Sequence, residues 1–263
     1  MRAGLIGNQQ GLARQLSAAG VSVVVHPAGT TDAAGLGGSD VTLVDRYDSF
    51  FGELEHPRLF VLDLPLGGAI DRAIDEAYVF MEPGDAVLDP SGSYWGDTLR
   101  RFHRMRHRAL FYVDLGLIGE APGATILAAG DSRGVDLCWP LLERLAKPRG
   151  VVRAGGAGAA HFAVMVREAV ATSTVHALSE ARQLLEAYPN HPEPAAILEQ
   201  LWPGPTPDAP RAAWLLDDAV RLEAAIPLLA HAIMLELGAA LDDQRPAGPS
   251  PRVGGFVHPD EIL

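Results

Sequence analysis

Residues 3–26 read AGLIGNQQGLARQLSAAGVSVVVH, and this stretch sets the fold class of the chain. Ala3–Gly7 and Val21–His26 are short apolar runs of the kind that form buried parallel strands. The segment between them, Gly11–Ala19, has helical periodicity. The stretch therefore predicts a strand, a crossover helix and a second strand parallel to the first.

The same alternation of strand-like and helix-like segments continues to about residue 156. It is typical of an α/β fold, in which a mainly parallel sheet carries helices on both faces. Further strands are predicted at Leu59–Leu64, Ala86–Asp89, Leu110–Leu115, Ala124–Ala129 and Val151–Ala154. Helices between them are predicted at Ala69–Met81, Tyr94–Arg108 and Val135–Leu145.

After Gly158 the pattern becomes all-α. Ala159–Tyr188 contains neither proline nor glycine and predicts one helix, roughly 45 Å long at about 1.5 Å per residue. Two more helices are predicted at Pro194–Leu201 and Ala212–Leu241, and a tail rich in proline and glycine follows them. We therefore divide the chain into an α/β domain (1–156), an all-α helical domain (157–241) and a C-terminal tail (242–263).

Composition narrows the classes of function. The chain has 263 residues, and 33 acidic against 21 basic side chains give it a net charge of −12. Nucleic acids and anionic membranes require a cationic surface, so neither is predicted as a partner. Lys147 is the sole lysine and lies in a segment, Ala146–Gly150, that predicts a loop, which argues against catalysis by lysine.

Cysteine content and the N-terminus bear on the compartment. Cys138 is the sole cysteine and lies in an apolar run, which excludes an internal disulfide and a cysteine-rich metal site. No metal is predicted. Met1–Gly7 lacks the features of a secretory signal, and no apolar run reaches membrane-spanning length. The chain is therefore predicted to be soluble and cytoplasmic.

Three stretches together resemble one family. Asp89–Arg101 reads DPSGSYWGDTLRR and resembles D-G-G-N-S-x-x-x-D-T-x-R-R. Gly158–Val166 reads GAAHFAVMV and resembles G-A-G-H-F-V-K-M-V, and Arg252–His258 reads RVGGFVH and resembles R-x-x-F-G-x-H. All three patterns belong to the 6-phosphogluconate dehydrogenases. A weaker match is Val61–Gly67, which reads VLDLPLG and resembles the Met-Val-Pro-Ala-Gly segment of that family, with Asp63 at the position of the methionine.

The resemblance implies a fold, a reaction and an assembly. It implies a Rossmann-like domain, a long helix leading into a helical dimerisation domain, and a tail that completes the site of the neighbouring subunit. Members of the family oxidise and decarboxylate 6-phosphogluconate with NADP or NAD. In that reaction a lysine acts as acid and base on the 3-hydroxyl group, and a glutamate protonates the enediol.

The segment that would bind the dinucleotide departs from the family pattern. The phosphate-binding turn, written I-G-L-G-R-M-G-x-N-M-A-R in the family, is about three residues shorter here and keeps one glycine in register. Its glycines let the backbone approach a pyrophosphate. We therefore predict that no nicotinamide cofactor is bound, or NADP or NAD only if the shortened turn admits it. In that case the contacts would come from Gly7, Asn8, Gln9, Gly11, His26 and Pro65.

The substrate half departs further. The resemblance places the family's catalytic lysine on Val164 and its Glu-Tyr pair on Ala171-Thr172. Valine cannot transfer a proton and alanine cannot protonate an enediol. Oxidative decarboxylation is therefore predicted to be lost.

Several polar residues are candidates for a replacement chemistry. Arg167 and Glu168 lie on the helix face that lines the substrate cleft in the family, where they could bind an anion or form a partly buried salt bridge. Glu120 stands where the family has a glycine, and Asp89 and Ser93 follow a strand, although Ser93 could instead cap the next helix. The matched pair Arg252 and His258 is predicted to bind an anion or to dock the tail.

Three functions remain open from the sequence. The first is non-redox chemistry on, or binding of, a small anionic metabolite that is phosphorylated or carboxylated. The second is a non-catalytic pseudoenzyme that acts as a dimeric regulatory partner of another protein. The third is an NAD(P)-dependent oxidoreductase with an atypical cofactor loop. A homodimer is predicted in each case, because a long helix with an apolar face needs a partner surface.

Overall fold

A computed structural model describes residues 1–28, 40–187, 193, 214 and 227–243. The strands are β1 (Arg2–Gly7), β2 (Ser22–His26), β3 (Val41–Leu43), β4 (Leu59–Asp63), β5 (Ala86–Asp89), β6 (Phe111–Ile118), β7 (Ala124–Gly130) and β8 (Ala146–Gly155). The helices are α1 (Leu12–Ala18), α2 (Tyr47–Gly52), α3 (Gly68–Ala77), α4 (Trp95–Arg106), α5 (Ser132–Leu145), α6 (Ala159–Ala187) and α7 (Pro227–Asp243).

Within the described residues the eight strands form one sheet in the order β3-β2-β1-β4-β5-β6-β7-β8. All neighbouring strands are parallel except β6 and β7, which form an antiparallel hairpin. The strand order reverses between β1 and β4, where Gly7 pairs with Asp63 at the carboxyl ends of the two strands. Open α/β sheets bind their ligands at this kind of switch point. The predicted Rossmann-like fold is confirmed.

Residues of alternating orientation along the strands build a separate core on each face of the sheet. Leu5 on β1 belongs to the core that is covered by α1 and α5. Its neighbour Ile6 belongs to the opposite core, which α2 and α3 cover and which is rich in aromatic side chains such as Phe50 and Phe60. Successive side chains of a strand point to opposite faces, so strands that are apolar throughout can supply both cores.

The predicted elements agree with the structure apart from a few boundaries. Helix α3 ends at Ala77 and continues as a short 3-10 turn, Tyr78–Phe80, where the sequence predicts α-helix to Met81. Strand β3 and helix α2 were not predicted, because β3 is a three-residue, largely exposed edge strand without a buried apolar run. The described part of the last helix is Pro227–Asp243.

The loop predicted at Ala146–Gly150 falls inside the limits of β8, but the pairing with β7 passes from the pair Ala124 and Ala146 directly to the pair Ile126 and Val151, so residues 147–150 bulge out of the ladder. Pro148 is tolerated there because it lies in this bulge of the edge strand and has no ladder hydrogen bond with β7 to lose. The helix predicted at 194–201 and the tail 242–263 fall almost entirely outside the described residues.

The chain divides into two compact units, Met1–Glu168 and Ala169–Leu263. This division falls inside α6, about twelve residues after the domain boundary that the sequence predicts at 156/157, and that predicted boundary stays a prediction. In the described residues, no helix combines the length and the apolar character needed to cross a membrane.

Candidate functional site

The turn between β1 and α1 lies at the switch point of the sheet and depends on two glycines. Gly7 has φ +82°, and a Cβ atom there would lie 2.3 Å from the carbonyl oxygen of Asp63. Gly11 has φ +72° and is the N-cap of α1, with no atom within 4 Å of the position of a Cβ. Left-handed backbone of this kind favours glycine, so the turn is shaped by these two positions.

A carboxylate from the neighbouring strand occupies the start of α1. Asp63 is completely buried at the end of β4. Its Oδ1 accepts a hydrogen bond from the amide of Gln10 at 2.9 Å, and its Oδ2 accepts one from the amide of Leu12 at 3.1 Å. The amide of Gln9 donates to the main-chain carbonyl of Asp63 at 3.0 Å. Asp63 thus holds three of the amides around the turn.

Asn8 accepts hydrogen bonds from two further amides of the turn. Its side-chain Oδ1 accepts from the amide of Ala13 at 3.0 Å, and its carbonyl oxygen accepts from the amide of Gly11 at 3.4 Å. The amide of Arg14 donates to the carbonyl of Gly11 at 3.2 Å. Every backbone amide of residues 9–14 therefore has an acceptor inside the protein.

Burial and hydrogen bonding act in opposite directions on the Asp63 carboxyl group. Burial raises its pKa, and the hydrogen bonds from Leu12 and Gln10 offset this rise only in part. The positive end of the helix dipole favours the ionised form. The start of α1 is thus capped by an acidic side chain of the protein itself.

This arrangement does not fit the pyrophosphate of a dinucleotide. Pyrophosphate binding at a Rossmann turn uses free amides at the start of the first helix and a backbone that the phosphates can approach. Here the amides already have acceptors, and a second anion beside the Asp63 carboxylate would be repelled.

The end of β2, where an adenosine ribose is bound in Rossmann folds, is filled by aromatic rings. His26 stacks on Tyr47, with ring centroids 3.9 Å apart and planes 13° apart, and Phe50 contacts it edge-on. Its Nδ1 accepts the amide hydrogen of Ala28 at 3.1 Å, and burial lowers the pKa of the imidazole. His26 thus belongs to a packed cluster. Pro65, which was also predicted to contact a cofactor, follows β4 and is exposed.

A second buried polar group lies at the end of β5 and contains Asp89. Its Oδ2 accepts a hydrogen bond from Tyr112 Oη at 2.5 Å, and Arg101 Nη1 lies 3.7 Å away. The same Arg101 nitrogen donates to Ser93 Oγ at 2.9 Å, and Ser93 Oγ lies 2.7 Å from Ser91 Oγ. Asp89 and Ser93 are both buried, so the structure brings these two predicted residues together in one internal network.

One of the two roles predicted for Ser93 was to cap the following helix, and this role is wrong. The N-cap of α4 is Tyr94, and no side chain makes a capping hydrogen bond there. The Ser93 hydroxyl oxygen instead accepts a hydrogen bond from Arg101, which lies more than one turn into α4.

Arg101 connects this network to α3. Its side chain is almost completely buried and donates from Nε and Nη2 to the two carboxylate oxygens of Asp71, at 3.0 and 3.1 Å. These bonds lower the pKa of Asp71 to about 2, with Arg100 contributing less. A bidentate arginine–carboxylate pair of this geometry fixes the packing of α3 against α4.

The histidine of the second matched stretch orients backbone. His161 is buried, with Nδ1 2.7 Å from Thr98 Oγ1 and Nε2 2.9 Å from the carbonyl oxygen of Asp89. Asp114 on β6 accepts the amides of Gly158, Ala160 and His161 at 2.8, 3.0 and 3.2 Å, so a buried carboxylate also begins α6.

The remaining candidates are more scattered. Arg167 Nη1 lies 2.6 Å from Glu168 Oε1, with 37% of the arginine side chain and 8% of the glutamate side chain exposed, which is the geometry of the partly buried salt bridge. Glu120 is exposed in the β6–β7 turn. Arg252 and His258 lie outside the described residues. The described residues contain no group of three or more His, Cys, Asp or Glu side chains that could hold a metal ion.

Sequence reasoning missed the residues that decide this site. The sequence singles out Asp63 only as part of a weak match to a family segment, and it does not predict the roles of Asn8 and Asp114. The one usable signal was an acidic residue at the end of a wholly apolar run, LFVLD, beside a glycine turn. A buried acid at the carboxyl end of a parallel strand faces the N-termini of helices and is suited to cap one.

The sheet order, the glycine turn at the switch point and the crossover helices define an α/β domain of the dinucleotide-binding type. Residues 4–166 match the model of the NAD binding domain of 6-phosphogluconate dehydrogenase. This match covers more than half of the chain, and the chain belongs to that family.

Curated relatives agree with this assignment. The decarboxylating 6-phosphogluconate dehydrogenase of Bacillus licheniformis is 28% identical over 157 residues, which are 57% of this chain and 34% of that protein. A putative 6-phosphogluconate dehydrogenase of Bacillus subtilis, YqeC, is 26% identical over 52% of this chain and 47% of its own length. The matched region thus spans between a third and a half of these relatives.

Solved structures share the fold over nearly the whole chain. A 3-hydroxyisobutyrate dehydrogenase of Mycobacterium tuberculosis has a TM-score of 0.73 at 18% identity, covering 92% of this chain and 94% of that one. The 6-phosphogluconate dehydrogenase of Plasmodium falciparum has a TM-score of 0.75 at 15% identity, covering 95% and 67%. At these identities the likeness concerns the fold.

Proposed function

We propose that this protein has kept the dehydrogenase scaffold and binds, or acts without redox chemistry on, a small phosphorylated or carboxylated metabolite. In this proposal the β1–α1 turn no longer holds a nicotinamide dinucleotide. Candidates for contact with the metabolite are the predicted anion ligands Arg252 and His258 and the Arg167–Glu168 pair.

The proposed loss of dinucleotide binding rests on one observation. The Asp63 carboxylate accepts the amides of Gln10 and Leu12, and all amides of residues 9–14 have internal acceptors. A dinucleotide would have to displace a buried carboxylate from its hydrogen bonds before its own phosphates could bind. An unpaired buried charge costs several kcal/mol, about the free energy of a millimolar complex, so this displacement opposes binding.

The surroundings of Val164 support the loss of proton transfer. The resemblance places the family's catalytic lysine at this position, and Val164 is buried. A Cβ atom on Gly116 of β6 would lie 2.7 Å from Val164 Cγ2, so the valine packs closely against that strand. A packed aliphatic side chain supplies neither a proton nor space for a longer cationic one.

The test is a titration of the protein with NADH and NADPH, followed by the fluorescence of the nicotinamide and of the tryptophans. We expect no saturable binding at micromolar concentrations. The matched variant is Asp63→Met, which restores the residue that the family segment has at this position and frees the amides of Gln10 and Leu12. We expect this variant to bind either cofactor more tightly than the wild-type protein does.

Micromolar binding of either cofactor to the wild-type protein would contradict the proposal. It would favour the third of the functions that the sequence leaves open, an NAD(P)-dependent oxidoreductase with an atypical loop. That candidate is supported by the family membership of the chain and by relatives such as the NAD(+)-dependent 6-phosphogluconate dehydrogenase of Bacillus subtilis. Thermal unfolding of Asp63→Met shows whether a lack of binding by the variant comes from loss of the fold.

A further inference from the structure

A surface cavity lies where α5 runs into the edge strand β8, away from the β1–α1 turn. Its volume is about 330 Å³. This is at the lower end of the roughly 300–1,000 Å³ of small-molecule sites in proteins. Trp139 and Glu143 on α5 form one wall, and Lys147, Arg149 and Gly150 on β8 form the other.

The β8 wall carries two cations that form no ion pair within the described residues, although the carboxylate of Glu143 lines the opposite wall. Lys147, the sole lysine of the chain, and Arg149 both line the cavity, and neither forms an ion pair or a side-chain hydrogen bond with any residue that the structure describes. Their position is unusual in a chain of net charge −12. Most other arginines of the described α/β unit pair with an acid, as Arg100 and Arg101 do with Asp71.

The α5 wall is held in place before any ligand arrives. Trp139 Nε1 donates to Glu143 Oε1 at 3.0 Å, and the guanidinium of Arg153 lies 4.6 Å from the centroid of the indole ring. Arg153 also forms an ion pair with Asp136, which lies one turn before Trp139 on α5. A fixed aromatic ring binds a planar group without losing side-chain entropy on binding.

The β8 wall is fixed as well. Arg149 has φ +59°, a left-handed conformation that a residue with a side chain adopts at a cost of about 1 kcal/mol or more. At Gly150 a Cβ atom would lie 2.7 Å from the carbonyl oxygen of Lys147 and 2.9 Å from that of Ala124. The backbone is therefore tightly folded at this point, where both cations line the cavity.

We propose that this cavity is a binding site for a small organic anion, a phosphate or carboxylate joined to a planar ring. Lys147 and Arg149 bind the anionic group, the indole of Trp139 packs against the ring, and the carboxylate of Glu143 accepts a hydrogen bond from a hydroxyl or amino group of the ligand. The site lies outside the β1–α1 turn, so this inference does not depend on whether that turn binds a dinucleotide.

The experiment is a calorimetric titration of the full chain with AMP, which carries both a phosphate and a planar ring, beside ribose 5-phosphate and inorganic phosphate. We expect AMP to bind more tightly than ribose 5-phosphate, and inorganic phosphate to bind least. Lys147→Gln and Arg149→Gln are each expected to weaken AMP binding by about ten-fold or more, the usual effect of losing a charge-assisted hydrogen bond. Trp139→Phe is expected to reduce the advantage of AMP over ribose 5-phosphate.

The matched control is Arg133→Gln. It removes the same charge from the first turn of α5, about 15 Å along the helix from Glu143 at about 1.5 Å per residue. We expect AMP to bind this variant as it binds the wild-type protein, and all four variants to keep the wild-type thermal unfolding temperature within a few degrees.

Two results would overturn the inference. If the Lys147 and Arg149 variants bind AMP as the wild-type protein does, or if no AMP binding is detected, the two cations only keep the exposed sheet edge from pairing with other chains. If AMP, ribose 5-phosphate and inorganic phosphate bind equally, the cavity does not select a planar ring. Failure at this site leaves the NADH and NADPH result unaffected. Because both cofactors contain an adenosine phosphate, cofactor binding that Lys147→Gln and Arg149→Gln weaken would be assigned to this cavity and not to the β1–α1 turn, so the two proposals are separable.

Discussion

Asp63 and Arg101 are charged side chains in the interior, and each is stabilised in a different way. Asp63 is compensated by backbone amides and by the end of a helix. Arg101 is compensated by a carboxylate on another helix and by hydroxyl groups at the end of β5. A buried charge without such partners would be strongly destabilising, so both groups fix the positions of the elements that supply their partners.

Replacing Arg101 by methionine tests the second arrangement. Arg101→Met leaves Asp71 without its bidentate partner and Asp89 without its nearby cation, and we expect it to lower the free energy of unfolding by about 3–5 kcal/mol. The control is Arg104→Gln on the same helix, which breaks an exposed pair with Asp75 and should cost about 1 kcal/mol or less. Urea unfolding at neutral pH measures both.

The same variant has a predicted dependence on pH. Arg101 lowers the pKa of Asp71 to about 2, below its value of about 3.9 in an unfolded chain. A lowered pKa contributes stability that is fully present above about pH 4 and is lost as the pH falls through about 2. The difference between wild type and Arg101→Met should therefore shrink in acid, and an undiminished difference at pH 2 would contradict the assigned pair.

At the scale of elements, the starts of two helices are capped by a buried carboxylate from a neighbouring strand. Asp63 accepts the amide of Leu12 at the start of α1, and Asp114 accepts the amide of Gly158 at the start of α6. Helix α5 begins instead with its own N-cap, Asp131, whose side chain accepts the amide of Arg133. A capping group from another strand ties the start of a helix to the sheet, whereas a local cap stabilises the helix alone.

Alanine substitutions can separate these two kinds of cap. Asp114→Ala removes the acceptor of three buried amides, and we expect it to cost more than the usual range of about 0.5–2 kcal/mol for a lost N-cap. Asp131→Ala removes one exposed capping bond and should stay within that range. Chemical unfolding gives both values, and equal losses would show that Asp114 acts as an ordinary local cap.

At the scale of the whole molecule, large apolar side chains are exposed on the last two described helices. On α7, 71% of Leu228 and 45% of Leu235 are exposed, and these residues are seven apart and share a face. On α6, Val170 is 51% exposed. Exposed apolar faces of this kind mark surfaces that another protein chain covers.

We therefore expect the protein to be a homodimer in solution. Size-exclusion chromatography with light scattering should give about twice the 27.9 kDa mass of one chain. Leu228→Glu combined with Leu235→Glu should shift the protein towards the monomer, because it places charge on the face to be buried. Leu43→Glu, on the exposed part of edge strand β3, is the control and should leave the mass unchanged. A monomeric wild-type protein would contradict this prediction.

The amino-acid sequence by itself determined the α/β fold, the strands and helices of the first 187 residues apart from β3 and α2, and the family of the chain. These properties follow from apolar runs and from motifs that are local along the chain, such as the GAAHFAVMV stretch at the start of α6. The sequence also indicated that the glycine turn is unusual, because its length and residues can be compared directly with the family pattern.

Only the tertiary structure decided what fills that turn and which charges are internal. Asp63 is more than fifty residues from the amides that it caps, and Arg101 is thirty residues from Asp71. Such pairings depend on which strands are neighbours in the sheet and on how helices cross them. A local pattern carries no information on distances across the fold, so the same LFVLD run that predicts a strand could not reveal that its last residue accepts the amides of Gln10 and Leu12 at the start of α1.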